Sequence, residues 1–251
     1  MNSIVVLKQV PDEEVKEEYQ DIDKLNDSDQ NVLKEALDLK DQYGGTVTVI
    51  GFGPSSAQDI LKETLTYGID EAILITDERY KNLDIAQVAK IIASAIKKRG
   101  EYDLVFFGRQ AIDGDSAHMA AMTAGALGIP LIPYSEHIEI KDHKLYAKCM
   151  GNQTNYKIET KIPAVALSIR ERNKNRFPTV ADIMKTYDGT YQIKILTNDD
   201  LNISIDKRKV TQIRKYKETN QTIKKQVVLD GKNEEEKATK ILNVLRQKNV
   251  I

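Results

Sequence analysis

A chain of 251 residues is long enough for one large α/β domain, or for a domain with a substantial appendage, and its 37 Lys and Arg against 38 Asp and Glu leave a formal net charge of −1, so no global field recruits nucleic acid or an anionic membrane. The single cysteine, Cys149, excludes an intrachain disulfide framework and has no Cys/His neighbours at metal spacing. The absence of tryptophan and an aromatic content of 6% leave no stacking platform for single-stranded nucleic acid, and no run of about 18 apolar residues is present to cross a membrane. A reducing compartment fits this cysteine usage. Residues 3–10 read as a strand from the outset, with Lys8 inside it, rather than as a targeting segment, so the expected location is the cytoplasm.

Residues 4–7 (IVVL) predict the first strand. Residues 31–43 then place Val32, Leu33, Ala36, Leu37 and Leu39 at helical spacing, with Asp27, Ser28 or Asp29 available as N-cap and Gly44 just past the end. A second strand follows at 46–50 (TVTVI), and Pro54-Ser55-Ser56 opens a second helix that Gly68 stops. Residues 72–75 (AILI) predict the third strand, 83–98 a helix ended by Gly100, 104–107 (LVFF) the fourth strand, and 116–127 a helix ended by Gly128-Ile129-Pro130. A fifth apolar run occupies 164–167 (AVAL). Near-continuous apolar runs are the mark of strands buried on both faces of a parallel sheet. Their alternation with helices implies right-handed crossovers and a doubly wound, mostly parallel α/β layer.

The texture changes after Pro130. Residues 137–149 alternate on both sides of Lys141-Asp142-His143-Lys144, which predicts an antiparallel hairpin extending the parallel sheet. Beyond residue 190 the chain is polar and charge-rich, and it finishes with a helical pattern over 234–248 whose apolar stripe is Ala238, Ile241, Leu242 and Leu245. Such a segment cannot bury itself alone; it wraps a partner or docks back. The expected organisation is an α/β domain over 1–190 and an extended C-terminal arm over 191–251.

Open α/β sheets bind ligands at the carboxyl ends of their strands. Three connections lie there: KQVPDEE leading to LNDSD, GFGPSSAQ, and GRQAIDGDSA. The last two enter helix N-termini, where free N–H groups and the helix dipole favour an anion such as phosphate. Gly51, Gly53, Gly108 and Gly114 permit close backbone approach, whereas Asp113 and Asp115 would repel a phosphate and suit caps, ribose hydroxyls or adenine amino groups, with Arg109 offsetting their charge. The same features also serve as ordinary helix punctuation. With neither GxxxxGK[ST] nor a full GxGxxG present, spacing alone leaves both readings open. His118, His137 and His143 are scattered, and no GxSxG, HExxH or Cys/His arrangement appears, so no catalytic side chain and no metal site are expected.

Taken together, VVLKQVPD at the start, NDSDQNVLKEALDLKDQYGGTVTVIGFGP, LKETLTYGIDEAILI, DLVFFGRQAIDGDSAHM and RFPTVADIMK resemble, in the family's order and over nearly the whole chain, the β subunit of electron transfer flavoproteins, the FixA-type proteins. The resemblance implies an adenine nucleotide α-hydrolase-like fold and a heterodimer with an α subunit that carries the redox FAD. It also implies a second nucleotide in the β subunit: AMP with a structural role in one branch, or a second FAD, reduced by NADH, in electron-bifurcating branches. Carried over by position, the nucleotide contacts fall on Val6, Asn26, Asp27, Ser28, Asp29, Phe52, Gly108, Arg109, Gln110, Ala111, Ile112, Asp113, Gly114, Asp115, Ser116, Ala117, His118 and Met119. Asn26-Asp27-Ser28-Asp29 and Gly114-Asp115-Ser116-Ala117 look like the bifurcating group, which favours FAD with AMP as the alternative; His118 stands where Gln is usual, and Ala120-Ala121 where Gly-Pro is common. The family's partner-recognition loop corresponds to 173–185, with Val180 as its apolar anchor in place of Leu, followed by Ile183, Met184 and Lys185. An acyl-CoA dehydrogenase-type flavoenzyme would seat there, and ferredoxin is a further implied acceptor. A stand-alone adenine-nucleotide sensor on the same layer is the competing reading, against which the long tail argues.

Overall fold

Ile4, Val5, Val6 and Leu7 alternate between the two faces of a pleated strand and all four are buried, so this segment requires a covering layer on each side. The computed structural model, which describes residues 1–11, 23–109, 117–142, 144–151, 154–169, 176–205, 228–248 and 250, supplies both layers. In chain order the elements are β1 (Asn2–Leu7), β2 (Gln9–Pro11), β3 (Asp23–Leu25), α1 (Asp27–Tyr43), β4 (Thr46–Phe52), α2 (Ala57–Leu65), β5 (Glu71–Ile75), α3 (Ile85–Arg99), β6 (Leu104–Gly108) and α4 (His118–Leu127). They continue with β7 (Leu131–Lys141), β8 (Lys144–Cys149), β9 (Tyr156–Lys161), β10 (Ala164–Ser168), α5 (Val180–Tyr187), β11 (Ile193–Leu196), α6 (Asn198–Leu201) and α7 (Glu234–Gln247). No helix among the described residues is long and apolar enough to cross a membrane.

Among the described residues, nine strands form one sheet in the order β11-β5-β4-β1-β6-β10-β7-β8-β9, and β2 and β3 form a separate antiparallel ribbon. From β11 through to β7 every neighbouring pair is parallel; β8 and β9 extend the sheet in antiparallel fashion. The doubly wound sheet with an antiparallel extension is therefore what the sequence predicts. The alternation of the strands sorts the core. Val5 and Leu7 pack with Val32, Leu33 and Leu37 of α1 and Leu61 of α2, whereas Ile4 and Val6 pack with Ile91, Ile92 and Ile96 of α3 and Ala120 and Ala124 of α4.

The chain moves outward from β1 to β4 and β5, then returns to β6 on the other side of β1. The winding direction thus reverses at β1, and the crevice above the carboxyl ends of β1 and β6 is the place where such a sheet leaves room for a ligand.

Several boundaries differ from the sequence pattern for local reasons. Helix α1 begins four residues before the apolar periodicity does, and its N-cap is Asn26, not Asp27, Ser28 or Asp29. The Asn26 carbonyl accepts from the amides of Asp29 (2.9 Å) and Gln30 (3.1 Å), which carries the helix back into the polar stretch. Helix α3 is capped by the Asp84 side chain, which accepts from the Ala86 amide at 3.0 Å. It ends where Gly100 adopts φ 103, a conformation that any side chain would strain, and returns its N–H to the Ile96 carbonyl. Strand β11, within the polar stretch after residue 190, pairs in register with β5 from Ile193↔Ala72 to Leu196↔Ile75.

The chain divides into two units, Met1–Thr211 and Gln212–Ile251. In the second, α7 starts at an Asn233 cap whose side chain accepts from the Glu236 amide, and Glu234, Glu235 and Glu236 in its first turn complement the positive end of the helix dipole. Its stripe residues Ile241 and Leu242 are exposed.

Candidate functional site

Parallel strands that diverge at their carboxyl ends leave a gap between the connections that follow them. Here the gap is a cavity of about 380 Å³, within the usual range of roughly 300–1,000 Å³ for small-molecule sites. The end of β1 contributes Val6, Leu7 and Lys8; the start of α1 contributes Asn26 and Asp29; β4 contributes Phe52; β6 and its exit contribute Phe107, Gly108 and Arg109; and Ala117, His118, Met119 and Ala120 come from the start of α4. Leu83, Ile85, Val88 and Ile92 close the remaining side with an apolar wall. Of the positions expected to touch a nucleotide, the structure therefore brings Val6, Asn26, Asp29, Phe52, Gly108, Arg109, Ala117, His118 and Met119 to one cavity. Ser28 does not line it: its hydroxyl accepts from the Asn26 side-chain amide at 2.7 Å, beside Gly108. The side chain of Asp27 and all of Gln110, Ala111, Ile112, Asp113, Gly114, Asp115 and Ser116 lie outside the described residues.

The two glycine-bearing turns behave differently. In the turn after β4, the amides of Ala57, Gln58 and Asp59 bond to the carbonyls of Pro54, Ser55 and Ser56, so the first turn of α2 has consumed the donors that an anion would use. Of that turn, only Phe52 is among the described residues lining the cavity, and its ring is held by stacking on Tyr80 at a centroid distance of 5.7 Å. At the other turn, Ala117 adopts a left-handed conformation (φ 49, ψ 13) immediately before α4. This costs about 1–2 kcal/mol for a residue with a Cβ, and it places the start of the helix at the cavity.

Electrostatically the site pairs basic side chains, Lys8 and Arg109, with one buried acid, Asp29. Burial pushes the Asp29 carboxyl up to about 7, against the opposing effect of hydrogen bonds from the Lys8 amide, the Asn26 side chain and the Gly108 amide. The Lys8 amide lies 2.8 Å from Asp29 Oδ2. Gly108 is required by this packing: a Cβ built there would sit 2.2 Å from Asp29 Oδ1 and 2.6 Å from Ser28 Oγ.

Sequence reasoning does not find Leu7, Lys8, Leu83, Ile85, Val88, Ile92, Phe107 and Ala120 as lining residues. Lys8 carries a signal, a charge at the end of an apolar strand. Ile85, Val88 and Ile92 carry none, because spacing i, i+3, i+7 marks the buried face of α3 without distinguishing its cavity end from its core.

A second feature lies apart from the cavity. Of the expected recognition residues, Val180, Ile183, Met184 and Lys185 fall on helix α5 rather than on a loop, because Thr179 caps it by accepting from the Asp182 amide at 3.1 Å. Residues 173–175 lie outside the described residues. Val180 is 75% exposed and Met184 64%, and Phe177 (80%) and Tyr187 (64%) add to the same apolar run of sequence.

Comparison with known proteins shows the family to which the chain belongs. A family model described as the electron transfer flavoprotein domain matches residues 16–192. The electron transfer flavoprotein subunit beta of Thermoanaerobacterium thermosaccharolyticum is 38% identical over 214 residues, covering 81% of each chain, and the protein of the same name from Clostridium acetobutylicum matches to the same extent. The caffeyl-CoA reductase-Etf complex subunit CarD of Acetobacterium woodii is 36% identical over 181 residues, covering 72% of this chain and 68% of its own.

Proposed function

Because this chain belongs to the electron transfer flavoprotein family, as a β subunit of the kind that includes the FixA proteins, we propose that it binds an adenine nucleotide in the cavity above β1 and β6 and works as half of a heterodimeric flavin electron carrier in the cytoplasm. The observation that carries this reading is convergence: three strand ends and two helix starts, remote in sequence, share one cavity. The donor set suits the guest. Phe52 and the apolar wall of Leu83, Ile85, Val88 and Ile92 fit the faces of a flat base. Lys8, Arg109 and the N-terminus of the ten-residue helix α4 fit phosphates.

FAD is the favoured nucleotide, on the Asn26-x-x-Asp29 and Gly114-Asp115-Ser116-Ala117 motifs, with AMP as the alternative. When bound, the flavin supplies the redox chemistry, with NADH as its reductant in a bifurcating complex, and the residues of this chain supply binding, orientation and exclusion of water. The apolar residues Val180, Ile183 and Met184, with Lys185, form the seat for a flavoenzyme of the acyl-CoA dehydrogenase type, and a low-potential acceptor such as ferredoxin takes the second electron. The C-terminal stretch, with the apolar stripe of α7, grips the α subunit. The relatives from Acetobacterium woodii and Anaerotignum propionicum, named as subunits associated with caffeyl-CoA and acryloyl-CoA reductases, support a CoA-ester enzyme as the partner class.

The test is to co-express the chain with its α subunit, denature the purified complex and quantify the released nucleotides. Two FAD per heterodimer is the expected result. One FAD with one AMP assigns the site to AMP, and a complex whose β subunit yields no nucleotide defeats the reading.

A further inference from the structure

An acid lining the ligand crevice of a nucleotide-binding α/β fold can reach out to a ribose hydroxyl. Asp29 has the wrong surroundings for that role. It is 5% exposed, its Oδ2 takes the Lys8 amide at 2.8 Å, and its Oδ1 is packed so closely on Gly108 that a Cβ built there would sit 2.2 Å away. One oxygen is thus committed to the backbone after β1, and the other is pressed against the end of β6. These two contacts lie on both sides of the crevice: Lys8 follows β1 and Gly108 ends β6, strands whose pairing stops at Val6↔Phe107. A carboxyl at that divergence takes the place of the next rung of the ladder, receiving the Lys8 amide where the strands have stopped pairing. The start of α1 is locked to the same point, since the Asn26 amide bonds to the Lys8 carbonyl at 3.3 Å and Asn26 Nδ2 to Ser28 Oγ at 2.7 Å.

We propose that Asp29 is a positioning residue, which ties the ends of β1 and β6 to the first turn of α1 and so fixes the mouth of the cavity, and that it does not contact the guest itself. The inference rests on the reading of the cavity as an adenine-nucleotide site. It predicts that Asp29 acts on affinity through Lys8, Phe107 and Gly108. Replacement by Asn leaves one acceptor oxygen and puts an NH2 group in place of the other, against either the Lys8 amide or Gly108.

The experiment uses the full-length chain as purified with its partner subunit, as wild type, Asp29→Asn and Asp29→Ala. Residue-resolved hydrogen exchange is followed at Lys8, and calorimetry measures binding of AMP and of 2′,3′-dideoxy-AMP to nucleotide-stripped protein. Exchange at the Lys8 amide is expected to quicken by about ten-fold or more in Asp29→Ala while the centre of β1 stays protected. Asp29→Asn is expected to weaken AMP and dideoxy-AMP by the same factor, about ten-fold. Unchanged exchange at the Lys8 amide overturns the proposal, as does a mutational loss that disappears with the dideoxy analogue, since that would place the carboxyl on the ribose. If wild-type protein binds neither AMP nor FAD, the nucleotide reading of the cavity fails, and the exchange result by itself decides the role of Asp29.

Discussion

Gly108→Ala is the sharpest single perturbation of this molecule. The added methyl would lie 2.2 Å from Asp29 Oδ1, 2.6 Å from Ser28 Oγ and 3.0 Å from the Ser28 carbonyl carbon, so relief requires the Asp29 and Ser28 side chains to retreat by up to roughly an ångström and the backbone of α1 to give by a few tenths. Overpacking of a close-packed region costs about 1–3 kcal/mol. The retreat also breaks or lengthens at least one hydrogen bond of the buried Asp29, for a further 1–3 kcal/mol or so. The expected total is about 2–6 kcal/mol, which for a unit spanning Met1–Thr211 corresponds to a fall in Tm of roughly 4–24 °C. Circular dichroism melting of the purified complex with and without added nucleotide measures it. Gly108→Ser is expected to be at least as damaging, having the same Cβ and a bulkier substituent. A Gly108→Ala protein that melts within about 2 °C of wild type and retains its nucleotide would refute the packing argument, because the contact would then be one the native state does not make.

Further outcomes follow from the same structure. The Asp29 carboxyl, pushed up to about 7 by burial from an ordinary value of 3.8, holds a proton in the folded state that the unfolded chain has released between those pH values. Its contribution to stability is therefore complete below about pH 4 and is lost as pH rises through 7, by at most about 4 kcal/mol. The difference in Tm between wild type and Asp29→Asn, compared at pH 5 and pH 8, should shrink at the higher pH, and a constant difference would contradict the shift. Phe106→Ala removes a fully buried ring from the middle of β6 and should cost about 3–5 kcal/mol in denaturant unfolding; a loss below about 1 kcal/mol would mean that the centre of the sheet collapses around the void. Val180→Asp alters a side chain that is 75% exposed, so the unfolding free energy should stay within about 0.5 kcal/mol of wild type, while affinity for a dehydrogenase partner falls at least ten-fold by surface plasmon resonance. Unaltered affinity would remove α5 from the docking surface.

The sequence by itself determined the layer. Buried strands on both faces read as continuous apolar runs, helix ends read as caps and glycines, and these are short-range signals: Ile4 to Leu7, Ala72 to Ile75 and Leu104 to Phe107 each declare their environment within a few residues. It also carried the family motifs that marked the loops to watch. Strand β11 was not legible, because Ile193 to Leu196 looks like part of a polar stretch and becomes a strand only where β5 presents an open edge. The same holds for the site. Leu83, Ile85, Val88 and Ile92 form one wall of the cavity only because the return from β5 to β6 carries α3 to that face, and Lys8 and Gly108 share Asp29 only because β1 and β6 become neighbours. Periodicity reports which face of an element is apolar. It is the order of strands, set by contacts between distant segments, that decides whether that apolar face meets the core or lines a ligand cavity.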